Sequence, residues 1–87
     1  MRGSRRINEE RTTLKISVVE GSSSEIGFEP VGTSFVVEGG DWLTLELPVS
    51  VVADVEIVAW PNGLAVWVPF HGDYLVRDSS GNELDRL

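Results

Sequence analysis

From Leu14 onward, apolar side chains recur at every second position rather than every third or fourth. The stretch LKISVVE puts Leu14, Ile16 and Val18 on one side, and WLTLELP puts Leu43, Leu45 and Leu47 opposite Thr44 and Glu46. That is the period of a half-buried strand. No helix-length segment carries apolar residues at i, i+3, i+4 and i+7. Ser22–Glu25 has the spacing of a helix capping box, yet Gly27 and Pro30 follow too soon for a helix to form. The pattern predicts strands at 14–20, 25–29, 33–38, 42–47, 49–52, 54–60, 64–69 and 73–78, with a shorter one at 82–86. Short strands at this spacing indicate an all-β fold, a small antiparallel β-sandwich or barrel of about seven to eight short strands joined by hairpins.

Turn residues fall between these runs. In EGGD, residues 38 to 41, Gly39 and Gly40 suit a two-residue hairpin loop, which pairs Val37 with Trp42 and Phe35 with Thr44. DSSGN, residues 78 to 82, is a second turn with Gly81 free to adopt a left-handed conformation. Pro48 and Pro69 lack an amide donor and are expected at strand ends. The segment WPNGL allows two registers. An Asn62-Gly63 loop would place Pro61 inside the ladder; a three-residue loop, with Pro61 and Asn62 in a type I turn and Gly63 in a bulge, uses proline where its φ is already suitable. The second is favoured and pairs Trp60 with Leu64, Val58 with Val66 and Ile57 with Trp67.

In that register Val58, Trp60, Leu64, Val66 and Val68 share one face, and Val55, Ile57, Ala59, Ala65 and Trp67 share the other. Both faces are apolar, so the hairpin is expected to be covered on both sides, once by a second sheet and once by a loop, a subunit or a partner. Trp60 and Trp67 then point in opposite directions. Phe35, Val37 and Trp42 would form a further apolar patch on an outer face, and contiguous apolar surface marks an interaction site.

Size and composition narrow the picture. The chain has 87 residues, enough for one domain, and 41% of them are hydrophobic. A domain this small is marginally stable and is helped by disulfides, a metal or another subunit. There is no cysteine and only one histidine, so disulfides, thiolate zinc sites and histidine-rich sites are excluded, which leaves oligomerisation. Residues 1–13 read as a flexible, polar and basic arm, and 14–87 as a single all-β domain. MRGS at the start resembles a vector leader. No apolar stretch follows the first arginines and no run suits a membrane span, so cytoplasmic localisation is expected.

The net charge of −7 is unevenly spread. Residues 1–13 hold four arginines against two glutamates, a net +2; residues 14–87 hold three cations against twelve carboxylates, a net −9. Such a body repels nucleic acid and anionic membranes.

Candidate chemistry is sparse. His71 lies two residues before Asp73, a spacing that suits a carboxylate-oriented histidine or a pair of ligands on a turn, and these two are the only polar-site candidates. Asp78, Asn82, Glu83 and Asp85 surround a glycine, but the order departs from a calcium loop. Neither phosphate-binding glycine pattern occurs, and no serine has a nucleophile-elbow context. The reading is therefore a non-enzyme without cofactor or metal. Three functions remain open: a structural or protein-interaction module that self-associates through an apolar sheet face, using Phe35, Val37, Trp42, Trp60 and Trp67; a small acidic inhibitor or immunity-type protein that masks a basic partner; and a binder of carbohydrate or another small ligand through exposed tryptophan.

Overall fold

The computed structural model describes residues 9–69 and 72–87. Eight strands account for most of them: β1 Arg11–Ser17, β2 Ser23–Glu29, β3 Thr33–Glu38, β4 Trp42–Pro48, β5 Glu56–Trp60, β6 Gly63–Trp67, β7 Leu75–Asp78 and β8 Glu83–Arg86. They form two four-stranded sheets, the first in the order β1-β4-β7-β8 and the second in the order β3-β2-β6-β5. The fold is an all-β sandwich. Alternation explains the core directly: Leu43, Leu45 and Leu47 of β4 and Val76 of β7 face Ile26 and Phe28 of β2, Val37 of β3 and Val66 of β6. Pro48 closes β4 and Pro69 follows β6, where their missing donors cost no ladder bond.

Four features depart from the sequence pattern. The valine-rich 49–52 run is not a strand; Val49–Asp54 is a 3-10 helix that lays Val51, Val52 and then Val55 against the core. Pro48 ends the ladder, and the tight turn after it leaves Val51 and Val52 partly buried and Val49 exposed. Strand β1 begins at Arg11 and ends at Ser17, three residues earlier than the 14–20 run, because Arg11–Thr13 pair with Glu46–Pro48. The sheets are not wholly antiparallel: β2 and β6 run parallel, with Ile26 opposite Leu64 and Phe28 opposite Val66. Finally, Gly39 and Gly40 do not close a hairpin, since β3 and β4 belong to different sheets.

The last of these shapes one end of the molecule. Both connections between the sheets there, 18–22 and 39–41, lie against each other: Gly40 N–H donates to the Val18 carbonyl at 2.8 Å and Val18 N–H to the Asp41 carbonyl at 3.0 Å. A Cβ on Gly39 would fall 2.4 Å from the Ser22 carbonyl oxygen and 2.7 Å from that of Val19. Two chains cross this closely only where a side chain is missing. The glycine pair therefore serves a crossing between layers rather than a turn within one. True hairpins are β2–β3, β5–β6 and β7–β8.

Candidate functional site

The β5–β6 hairpin turns on Pro61 and Asn62 alone. Trp60 pairs with Gly63, Val58 with Ala65, Ile57 with Val66 and Glu56 with Trp67, a register one residue tighter than the bulged loop expected from sequence. Gly63 explains the difference. It belongs to the ladder rather than the loop, and a Cβ there would lie 2.3 Å from the Glu25 carbonyl oxygen and 2.9 Å from Trp60 Cζ2. The missing side chain lets β2 approach on one side and lets the Trp60 indole lie across the backbone on the other.

The tighter register corrects the faces. Ile26, Phe28, Leu64 and Val66 point inward, so the outer face of the second sheet carries Glu25 and Glu29 from β2, Val36 from β3, Val58 and Trp60 from β5, and Ala65 and Trp67 from β6. Trp60 and Trp67 thus share one face, and each is 44% exposed. Four residues of strand separate their rows, about 13 Å. Trp67 stands between Glu29 on β2 and Glu56 on β5, its register partners on either side. The Trp60 row runs through Gly63 to Glu25 and to Val36, which is 70% exposed.

Strand β5 is open in a second sense. Every residue from Glu56 to Trp60 is exposed, including inward-facing Ile57 at 56%, because β5 overhangs the core that covers β6. Among the described residues the expected double cover is absent on both faces. Being last in its sheet, β5 also has a free edge. In an antiparallel ladder closed by a two-residue loop, alternate residues bond to the partner, which leaves the N–H and C=O of Ile57 and Ala59 pointing away from β6. Edge strands are commonly blunted by inward charges, lysine or a bulge; β5 has only Glu56 at its start and Pro61 beyond its end.

The outer face of the first sheet is finished quite differently. Glu46 on β4 accepts hydrogen bonds from Arg11 Nε on β1 at 2.6 Å and from Arg77 Nη1 on β7 at 2.7 Å. Asp73 pairs with Arg86 at 2.9 Å and with Arg11 at 3.6 Å. Beneath this lattice lies Leu75, outward by its register with Glu46 and Arg86 yet only 4% exposed. Charged side chains lay their apolar stems over it. The Arg77 guanidinium, and after it that of Arg11, holds the Glu46 carboxyl below the usual carboxylate range, against the opposing effect of burial.

Other described residues singled out from sequence lie away from the outer face of the second sheet. Val37 is in the core, and Phe35 meets Phe28 edge to face with centroids 6.2 Å apart. Trp42 keeps its expected company with Thr44 and Glu46, but on the other sheet, where the Lys15 ammonium sits 4.1 Å from its ring centroid. The expected hairpin pairing of Phe35, Val37 and Trp42 on one outer face does not form, because β3 and β4 lie in different sheets, but all three line one cleft of about 450 Å³ with Leu43 and Leu84. His71 lies outside the described residues. The Asp73 carboxylate is engaged by two arginines. In the 78–82 turn, Asp78 accepts backbone N–H groups of Asn82 and Ser80 at 2.9 and 3.0 Å, and these bonds, that of Asn82 foremost, lower its carboxyl.

At the other end of the sandwich, Pro30, Val31, Val68, Pro69, Tyr74 and Leu87 line an apolar cleft of about 270 Å³. The Tyr74 hydroxyl donates to the Pro69 carbonyl at 2.6 Å, and burial raises its pKa. Among the described residues no helix is long and apolar enough to cross a membrane. Sequence reasoning missed Glu25, Glu29 and Glu56 as neighbours of the tryptophans. Their association depends on the parallel β2–β6 seam, for which no local turn gives a signal. No family model, curated protein or solved structure matches this chain.

Proposed function

We propose that this protein is a non-enzymatic interaction module that self-associates through the open end of its second sheet. The observation that carries this reading is β5, exposed on both faces and unpaired along one edge. A second copy satisfies all of it at once. With the two β5 strands antiparallel and centred on Val58, Ile57 of each copy meets Ala59 of the other, and those are the residues whose backbone groups point outward. Glu56 then falls opposite Trp60, so no like charges face each other across the seam. Ile57 gains cover, and an eight-stranded sheet replaces two exposed edges. The pairing is isologous and closes on itself as a dimer. It needs no cysteine, which fits a protein kept in a reducing cytoplasm.

Light scattering on the full chain tests this: a dimer is expected on the order of tens of micromolar, as for a small interface. A monomer throughout that range overturns the reading. Ile57→Lys, which adds a charge to the free edge, is expected to give a monomer with an unchanged fold.

The distribution of charge supports a second reading, an acidic protein that covers a basic partner. Among the described residues every lysine and arginine, namely Arg11, Lys15, Arg77 and Arg86, belongs to the outer face of the first sheet. Among those residues the second sheet presents carboxylates and tryptophans without a cation, and acidic complementarity speeds and selects association with basic surfaces.

A further inference from the structure

We propose that the outer face of the second sheet binds an extended, arginine-bearing polypeptide segment, with one guanidinium over Trp67 and a second over Trp60. The proposal rests on the basic-partner reading and gives that partner a chemistry.

Three observations converge on it. Both indoles are exposed on one face, and among the described residues no cation lies over either, whereas Trp42 on the opposite face already lies beneath Lys15. Trp67 is flanked by Glu29 and Glu56, and the Trp60 row includes Glu25 beyond Gly63. Among the described residues no ion pair engages these three carboxylates; all four pairs use Glu46 or Asp73 on the first sheet. Small residues lie between the rows: Gly27 and Ala65 follow one another across the face beside Val58. An indole beside carboxylates suits a guanidinium particularly well. It stacks its planar face on the ring while its edge donates to a carboxylate, and an ammonium does only one of these well.

Spacing makes the proposal specific. Rows about 13 Å apart match side chains four residues apart on one side of an extended chain. A segment with arginines at i and i+4 therefore reaches both rows, while one with arginines at i and i+3 sends them to opposite sides. In the dimer proposed above, Glu56 of the second copy comes beside Trp60, so that indole also has a carboxylate on either hand. The face itself is complete without that step.

The test titrates the full chain, by calorimetry at low ionic strength, with the blocked peptide Gly-Arg-Thr-Val-Thr-Arg-Gly and with a version whose arginines are three residues apart. The first peptide is expected to bind about tenfold tighter than the second, and Trp67→Ala to weaken it about tenfold, as loss of a partly desolvated cation–π contact does. Glu29→Gln with Glu56→Gln is expected to weaken it at least as much. Glu83→Gln with Asp85→Asn, the same charge change on β8, is expected to leave it within about twofold, as distant exposed charges are screened. Ala59→Pro, which closes the β5 edge, leaves binding unchanged.

Equal binding of the two peptides, or equal loss in the two charge-matched pairs, means diffuse attraction and overturns the site. Binding abolished by Ala59→Pro places the peptide on the edge and overturns the face. Displacement by a neutral oligosaccharide assigns the tryptophans to sugar stacking and overturns a cationic occupant. No binding of either peptide overturns the basic-partner reading as well.

Discussion

The outer faces of the two sheets are made of the same unit, a four-stranded layer over a shared core, and they end in opposite ways. On the first sheet, arginines and carboxylates from β1, β4, β7, β8 and the 72–74 segment neutralise one another around Leu75. On the second, among the described residues, carboxylates stand without cations beside two half-exposed tryptophans, and the outermost strand is exposed along its length. The first face is complete as a surface against water. The second leaves hydrophobic area and charge open to solvent, and this difference is why the proposed interactions are placed on that side of a molecule whose core is common to both.

The largest blow to this arrangement comes from Gly63→Ala. The new Cβ meets both the β2 backbone and the Trp60 ring, so the parallel seam has to open; a loss of about 2 to 4 kcal/mol in urea unfolding is expected, from overpacking against backbone.

A paired comparison sharpens the contrast more directly. Leu75→Ala is expected to cost about 2 to 3 kcal/mol, as burial beneath a charged lattice implies. Trp67→Ala removes a far larger side chain from the corresponding face, yet at concentrations where the protein is monomeric it is expected to cost below about 1 kcal/mol. Equal costs, measured by urea midpoint, would mean that the two faces are finished alike.

Acid titration provides a smaller effect. Glu46 and Asp78 both ionise more readily folded than unfolded, through Arg77 and Arg11 for the first and the Asn82 backbone for the second. For a depressed carboxyl, the stabilisation is complete above the unfolded pKa, near 4, and is lost as pH falls through the lower folded value. The urea midpoint is therefore expected to decline below about pH 4. Glu46→Gln should reduce that decline, at a cost of about 1 kcal/mol or less at neutral pH, since the network is partly solvated. An unchanged pH profile in this variant would show that the lattice is not what holds the first face.

Most of this contrast could not be read from the chain, although most of the strands could. Alternation placed Leu43, Leu45 and Leu47 on one side of β4 and gave 33–38 its observed bounds, because burial against one core imposes period two on every strand that crosses it. Registers and sheet membership were lost where a glycine acts through what comes near it. Gly39 admits the 18–22 crossing and Gly63 admits β2, and neither neighbour is close in sequence. Gly63 suits the bulge of a three-residue loop, and that register puts Trp60 and Trp67 on opposite faces; in the structure Gly63 stays in the ladder, the loop is Pro61-Asn62 alone, and the two share one face. Val49–Val52 looked like a strand because β-branched residues favour extension, and Pro48 with a shallow site beneath decided otherwise.

The central claim, that the second sheet is completed through β5, is tested most directly by mass in solution for the parent chain and for Ala59→Pro across a concentration series. The Ala59 N–H points away from β6, so proline there removes an edge donor without removing a ladder bond. The account predicts a dimer for the parent at tens of micromolar, a monomer for Ala59→Pro, and closely similar unfolding midpoints when both are dilute. A parent that stays monomeric, or an Ala59→Pro variant that dimerises as the parent does, would contradict it.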